Sequence, residues 1–287
     1  MNLAVKGKNK PWLSIITVCL NDSKNLSRTL RHLRDQKFPF IQLIVIDGDS
    51  KDDTISVIHA YQDIITDWVS EKDSGLYEAM NKGIDLALGE YLVFLNAGDI
   101  FHDSQVISRI HAIQNGEDIL YGNAVFVDQE GRFKSERHKK IPVHLHWSSF
   151  RDGMVVCHQA LIIRREIALY YNTKFKITAD LDWAIRTSKQ AKTVVNLDFI
   201  VCDFQRGGIS DKKRFEALIE RGVILIKHFG IWRTLWSHMN IPVTYLQWKI
   251  SCFFRPFTYK DTILPHSETA NTKRTSGQQA LNIQSTS

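Results

Sequence analysis

Short runs of branched and aromatic residues alternate with helically spaced leucines over the first hundred positions. Leu13 to Cys19 (LSIITVC) predicts a strand, and Leu26, Leu30 and Leu33 within 24–36 mark one face of a helix, with Ser23 as its N-cap. Phe38-Pro39-Phe40 ends that helix, and Ile41 to Ile46 (IQLIVI) reads as a second buried strand closing on Asp47. A helix from Thr54 to Tyr61 begins on Asp53, and Thr66 to Ser70 is a third strand. Leu76, Met80, Ile84 and Leu88 space a further helix that Gly89 closes as a C-terminal glycine. Tyr91 to Leu95 (YLVFL) then suits a strand buried on both faces of a parallel sheet.

Beyond Asp99 the pattern becomes mixed. Ser104 to Asn115 predicts a helix, and Ile119 to Asp128 and Arg132 to Ser135 predict strands joined by Gln129-Glu130-Gly131. Cys157-His158-Gln159 opens an apolar strand through Ile163, Thr178 opens a helix, and Phe204 to Ser210 is a loop before a helix from Lys212. The expected fold class is α/β, a mostly parallel sheet flanked by helices. One domain is expected over 11–210, with a flexible start over 1–10, a basic, aromatic-rich helical appendage over 211–260, and a polar, disordered tail over 261–287.

Four strand tips carry polar groups: Asn21-Asp22, Asp47 to Asp49, Glu71 to Asp73 and Asn96 to Asp99. In a parallel sheet these share one edge, where open α/β sheets bind ligands. Each could be a turn and nothing more, but buried anions demand partners. Neither a P-loop nor a G-x-G-x-x-G fingerprint is present. A crevice of Asp and Asn therefore points to phosphates held through Mg2+ or Mn2+, hard cations that prefer carboxylate oxygen. A metal-bound nucleotide is the expected occupant.

Hydrophobic content of 44% and charged content of 24% are those of an ordinary globular chain. The four cysteines are far apart, with neither metal spacing nor a disulfide framework, which fits a reducing compartment. No window reaches the roughly 18 to 20 apolar residues of a membrane span, and Leu13 to Leu20 reads as a strand, not a signal peptide. Charge is uneven: 186–260 holds 13 Lys and Arg against 5 Asp and Glu. Basic residues there interleave with Trp232, Trp236, Trp248 and Phe253-Phe254, which suits either an amphipathic element on an anionic membrane or an appendage packed on the main domain. A cytoplasmic protein, peripheral on the inner face of the membrane, is expected. No nucleic-acid motif accompanies the charge. His138, His144 and His146 read as surface or packing residues.

The segments LSIITVCLND, LIVIDGDSKDDT, SEKDSGLYEAMNKGIDLALGEYLVFLNAGD, CHQALIIRRE and ITADLDWAIR, in that order, resemble the family 2 glycosyltransferases of the GT-A fold, especially bacterial exopolysaccharide enzymes of the colanic acid (WcaE-like) type. The resemblance covers about 11–210. It implies an inverting transfer of a sugar from a nucleotide-diphosphate donor to a saccharide or lipid-linked saccharide acceptor. Thr17, Val18 and Asn21 would line the base pocket, Asp47 would hold the base, and Asp49, Glu71 and Asp73 would border the donor. Asn96 to Asp99 occupies the place of the Asp-x-Asp motif, but Asn96, Ala97 and Gly98 leave only Asp99 charged. Asp99 is then the metal ligand, and Asn96 can bond a ribose hydroxyl.

His158 and Gln159 fall on the acceptor side of this resemblance, and Asp180 falls on the general base. Asp182, two residues on, points to another face of the helix and is assigned with the acceptor residues. Two glycines give the Arg206-Gly207-Gly208 loop freedom to close, and Arg206 offers a fork for phosphate. Two other classes remain open at this point. Asn96 and Gly98 would also suit a non-catalytic, membrane-associated nucleotide-sugar-binding protein, and a nucleotidyltransferase would share the crevice but lacks a Gly-rich triphosphate loop.

Overall fold

The computed structural model describes residues 10–235 except Lys37 and His138. The expectations for 1–9, for the basic segment beyond 235 and for the polar tail lie outside the described residues.

The first half is a strand-helix alternation: β1 (Leu13–Cys19), α1 (Ser23–Arg34), β2 (Ile41–Asp47), α2 (Thr54–Ala60), β3 (Asp67–Ser70), α3 (Leu76–Leu86) and β4 (Tyr91–Phe94). Then come β5 (Ile100–Phe101), α4 (Val106–Ile113), β6 (Ile119–Val127), β7 (Phe133–Glu136), β8 (Leu161–Arg164), α5 (Ala179–Gln190), β9 (Val194–Gln205), α6 (Ile209–Lys212) and α7 (Arg214–Phe229). Among the described residues the sheet runs β3-β2-β1-β4-β8-β6-β9-β5, with β7 on β6. The pairs β1–β2, β1–β4, β2–β3 and β6–β9 are parallel. β8 is antiparallel to both its neighbours, and β5 to β9.

β1 and β4 are buried along their whole length, as the continuous apolar runs require of central strands covered on both faces. α1 lays Leu26, Leu30 and Leu33 on one side. α3 lies against β1 and β2 with Met80 and Gly83 inward. Behind the sheet's carboxyl edge stands an aromatic stack. Tyr171 stacks on Tyr77 (5.3 Å) and on Trp183 (4.9 Å), and Phe94 meets both Tyr171 and Trp183 edge-on.

Several boundaries differ from the sequence reading, each for a tertiary reason. Ser23 is the first residue of α1 rather than its cap, and the helix start is closed by the neighbouring loop: Asp52 Oδ2 accepts from Ser23 N (3.2 Å), and Thr54 Oγ1 accepts from Asp22 N (3.2 Å). Gly89 does not cap α3, which ends at Leu86. It is glycine because a Cβ there would lie 2.6 Å from the Ser14 backbone nitrogen and 2.7 Å from the Tyr91 carbonyl oxygen. Cys157 does not open a strand, since His158–Ala160 forms a 3-10 turn before β8. β9 extends to Gln205, so the expected 204–210 loop shrinks to three residues before α6.

α7 joins the domain through its inner face. Glu220 accepts backbone N–H groups from Lys176 (2.7 Å), Ile177 (2.9 Å) and Thr178 (3.0 Å). Phe229 stacks on Trp147 at 5.5 Å. Its outer face exposes Phe215, Leu218, Ile219, Val223 and Ile226.

A Cβ on Gly83 would stand 2.3 Å from Ile16 Cγ2, whereas one on Gly222 of α7 would meet nothing. Gly83→Ala is therefore expected to cost about 1–3 kcal/mol by overpacking, while Gly222→Ala is neutral or stabilising by up to about 1 kcal/mol through helix propensity. Thermal denaturation of the two variants measures the contrast.

Candidate active site

The carboxyl ends of β1 to β4 bring their polar tips to one edge. Asp47 is wholly buried. Its Oδ2 accepts from Ser50 N (3.0 Å) and Ser70 Oγ (2.7 Å), and its Oδ1 accepts from Ser50 Oγ. The carboxylate expected to hold the base is thus engaged by its own loop and by β3. Asn21 and Asp49 both take positive φ (48° and 68°), a conformation that Asn and Asp tolerate best among residues with a Cβ. Asn21 Oδ1 accepts from Lys51 N (2.7 Å), locking the β1 tip to the β2 loop, and Asp49 pairs with Lys51 Nζ (2.6 Å).

Thr17 Oγ1 is buried without a hydrogen-bond partner, and Val18 gives its carbonyl to Ala97 N (3.3 Å). Asp73 reaches across to Gly48, where a Cβ would stand 2.9 Å from Asp73 Oδ2. Burial pushes the Asp73 carboxyl up from its ordinary pKa, against the Gly75 N–H that it accepts. Glu71 is exposed and paired with Lys82 (2.9 Å).

The Asn96–Asp99 loop is held by α1. Thr29 Oγ1 accepts from Gly98 N (2.9 Å) and donates to the Asp99 carbonyl (2.8 Å). Asp99 is 3% exposed, and the donors to its carboxylate are neutral amides: Gln205 N to Oδ1 and Gln159 Nε2 to Oδ2, both at 2.9 Å. Burial pushes its pKa up to about 7 in spite of these donors. Gly98 has φ of +97°, and a Cβ on it would meet Gln205 Oε1 at 2.6 Å. A carboxylate side chain at 98 is excluded by that contact unless Gln205, which also accepts from Arg28 Nη1 (3.2 Å), moves away.

On the other side stands the 158–160 turn. His158 Nδ1 is 3.6 Å from Asp180 Oδ2, and its Nε2 is buried without a partner. Burial opposes the charged imidazole, but Asp180 outweighs it and the His158 pKa is raised. Asp180 opens α5; its Oδ1 accepts from Leu181 N (3.0 Å) and lies 3.4 Å from the Tyr77 hydroxyl. Gln159, expected to face the acceptor, is instead 1% exposed, and it links Asp99 to the Cys157 thiol (2.7 Å). One turn thus ties Asp180 to Asp99 through adjacent residues.

Asp182 does not line this crevice. It has no exposed side chain and takes Arg186 Nε (2.6 Å), His228 Nε2 (2.9 Å) and Lys227 Nζ (3.3 Å). Its place in the acceptor set is corrected: two residues along a helix turn it away from Asp180, and it anchors α5 to α7. Arg206 lies over the Phe126 ring (5.3 Å) and is 3.3 Å from Asp211. The supporting residues Thr29, Tyr77, Gln205 and Glu220 gave no sequence signal, since their partners are 42 to 106 positions away.

Among the described residues no group of three or more His, Cys, Asp and Glu comes together as a metal cage. The loop does offer a buried carboxylate between neutral amides, and Asn96 Oδ1, a buried oxygen without any partner. One carboxylate completed by substrate phosphates is how Mg2+ is commonly bound. The donor set fits a hard divalent ion held chiefly by the ligand's own phosphates.

Comparison with known proteins gives the family. A PGL/p-HBAD biosynthesis glycosyltransferase of Mycobacterium tuberculosis is 26% identical over 261 residues, covering 83% of this chain and 98% of the relative. An uncharacterised glycosyltransferase of the same species is 29% identical over 72% of this chain and 80% of the relative. Among solved structures, S. aureus TarS 1-349 in complex with UDP-GlcNAc superposes with a TM-score of 0.63 at 15% identity, over 87% of this chain and 77% of that one. The mannosyltransferase PcManGT from Pyrobaculum calidifontis, in complex with GDP-Man and Mn2+, does so with a TM-score of 0.60 at 14% identity, over 88% and 77%. These likenesses place the fold among GT-A-like α/β enzymes. Residues 14–171 match glycosyl transferase family 2, and the chain belongs to that family.

Proposed function

We propose that this nucleotide-sugar-dependent glycosyltransferase inverts the anomeric carbon in one displacement, with Asp180 as base and Asp99 on the side of the departing diphosphate. What supports the reading is the turn that joins them: His158 lies 3.6 Å from Asp180 Oδ2, and Gln159 donates to Asp99 at 2.9 Å. Asp180 keeps 24% of its side chain exposed where Asp182 keeps none, so only the former can meet an acceptor hydroxyl. As that oxygen attacks the anomeric carbon, its proton passes to the Asp180 carboxylate while the bond to the diphosphate oxygen breaks. His158 and Tyr77 hold the carboxylate in place, and the Tyr171-Trp183 stack gives it a dry wall.

Mg2+ or Mn2+ bound beside Asp99 would supply positive charge for the leaving group. Asn96 Oδ1 is placed to accept a hydroxyl of the donor or to complete the ion's oxygen shell. Arg206 heads a Gly207-Gly208 pair in which Gly207 has φ of +102° and a Cβ on Gly208 would meet nothing, and the guanidinium can swing from Asp211 toward the phosphates.

The acceptor we infer is a saccharide, lipid-linked, in exopolysaccharide or other cell-surface saccharide synthesis. The relative that matches over 261 residues is named for PGL/p-HBAD biosynthesis, which corrects the expected colanic acid subgroup. The lipid link is supported by α7, whose exposed Phe215, Leu218, Ile219, Val223 and Ile226 form one apolar stripe beside Lys212, Lys213 and Arg214, as in helices that lie on anionic membranes. No helix among the described residues is long and apolar enough to cross one.

Asp180→Asn is expected to lower kcat by about 10²- to 10⁴-fold with donor binding intact. Asp182→Ala is expected instead to destabilise the fold by about 3 kcal/mol, because Arg186 and His228 lose their anion. Equal loss of turnover in two equally stable variants would remove Asp180 from its role. A thermal-shift panel of nucleotide sugars, with and without Mn2+ or Mg2+, tests the donor side. One donor should stabilise the protein by about 2.7 kcal/mol at 100 times its Kd, only with metal, and Asp99→Asn should abolish the metal dependence. Stabilisation that ignores metal in both proteins would contradict the assignment.

A further inference from the structure

Three basic side chains from two separate parts of the chain converge on one short loop outside the crevice. Arg137 follows β7, and Lys139 lies two residues on. Arg137 donates through Nη2 to the Met154 carbonyl (2.8 Å) and through Nη1 to that of Val155 (3.2 Å). Lys139 Nζ and Arg221 Nη2 of α7 both donate to the Asp152 carbonyl. Gly153, with φ of +97°, packs its bare Cα against Arg221, where a Cβ would stand 2.6 Å from the guanidinium carbon.

Carbonyl oxygens satisfy N–H groups but do not cancel charge. Burial, then the Arg221 and Arg137 charges, push Lys139 down to about 7. Burial also lowers Arg221, with Asp152 opposing it, and Arg221 Nε is buried without an acceptor. Asp152 also stands 3.6 Å from Arg151, so one carboxylate serves several cations. A staple for three loop carbonyls needs donors only, and neutral amides would hold them without the mutual repulsion of basic groups that pushes Lys139 down.

We propose that Arg137, Lys139 and Arg221 form a binding site for a phosphate group and, resting on the transferase reading above, that the acceptor carries this phosphate. Guanidinium and ammonium groups suit a tetrahedral oxyanion, Arg221 Nε has no acceptor, and a phosphate, with up to two negative charges, offsets this cluster better than a single carboxylate. The site adjoins the acceptor side along the chain in two ways. The 152–155 loop runs into Cys157 and His158, and the Arg137 charge is felt at the Cys157 thiol. Glu220, next to Arg221, clamps residues 176–178, which lead into Asp180.

The test is a titration of the full chain with inorganic phosphate at constant ionic strength, read by thermal shift. Wild type, Lys139→Arg and the donor-side variant Asp99→Asn are expected to saturate with similar affinity. Lys139→Gln and Arg221→Gln should each bind about ten-fold more weakly, the worth of one charge-assisted hydrogen bond. In wild-type protein with 13C-methylated lysines, the Lys139 resonance should move with the same affinity, a readout that needs no folded variant. No saturable response in wild type, or equal responses in the Gln variants, overturns the site. Asp99→Asn separates the two readings, since phosphate can still bind here in a protein that transfers nothing. Sedimentation with phosphatidylcholine vesicles, with and without phosphatidic acid, distinguishes the source. Binding to the acidic vesicles that falls in Lys139→Gln assigns the phosphate to a lipid headgroup, and binding unchanged by that substitution assigns it to a soluble ligand.

Discussion

Burying a carboxylate between neutral amides leaves its charge uncompensated, and much of this site is arranged around one such group. Asp99 fixes β9 through the Gln205 amide, the 158–160 turn through Gln159, and α1 through the Thr29 hydroxyl on its carbonyl. Three segments far apart in sequence thereby meet at the tip of β4. Burial pushes the Asp99 pKa up to about 7, and a nearby cation would lower it again.

The same turn carries this arrangement to Asp180. Gln159 belongs to Asp99 and His158 to Asp180, so a displacement of one is felt by the other within a single peptide unit. Rigid backing comes from the Tyr77, Tyr171 and Trp183 rings and from Asp182, which ties α5 to α7 through Arg186, His228 and Lys227. α7 therefore serves two faces at once: polar contacts inward to the segment before Asp180, and an apolar stripe outward.

The sequence carried the parallel half of the sheet clearly because that half is local. Leu13 to Cys19, Ile41 to Asp47 and Tyr91 to Phe94 are short branched or aromatic runs closed by polar tips, and periodicity reads them directly. The two-residue β5 exists only through its pairing with β9, and no period announces it. Gly89 looked like a helix stop because glycine usually is one there; a close backbone approach explains it instead. Around the site, the polar tips were legible as a group, but the partners of each were not. Gln159 and Asp182 are polar residues beside motif positions, and only the three-dimensional structure distinguishes a buried support from an exposed ligand contact.

The proposed role of Asp99 as the carboxylate that meets the metal is tested by its own titration. With 13C-labelled aspartate carboxyls, assigned by Asp99→Asn, the Asp99 resonance should titrate near pH 7 in the free protein, as its burial requires. It should titrate well below that once diamagnetic Mg2+ and a nucleoside diphosphate are added. A carboxyl that stays near pH 7 with both ligands bound would show that the metal lies elsewhere, and would contradict the account.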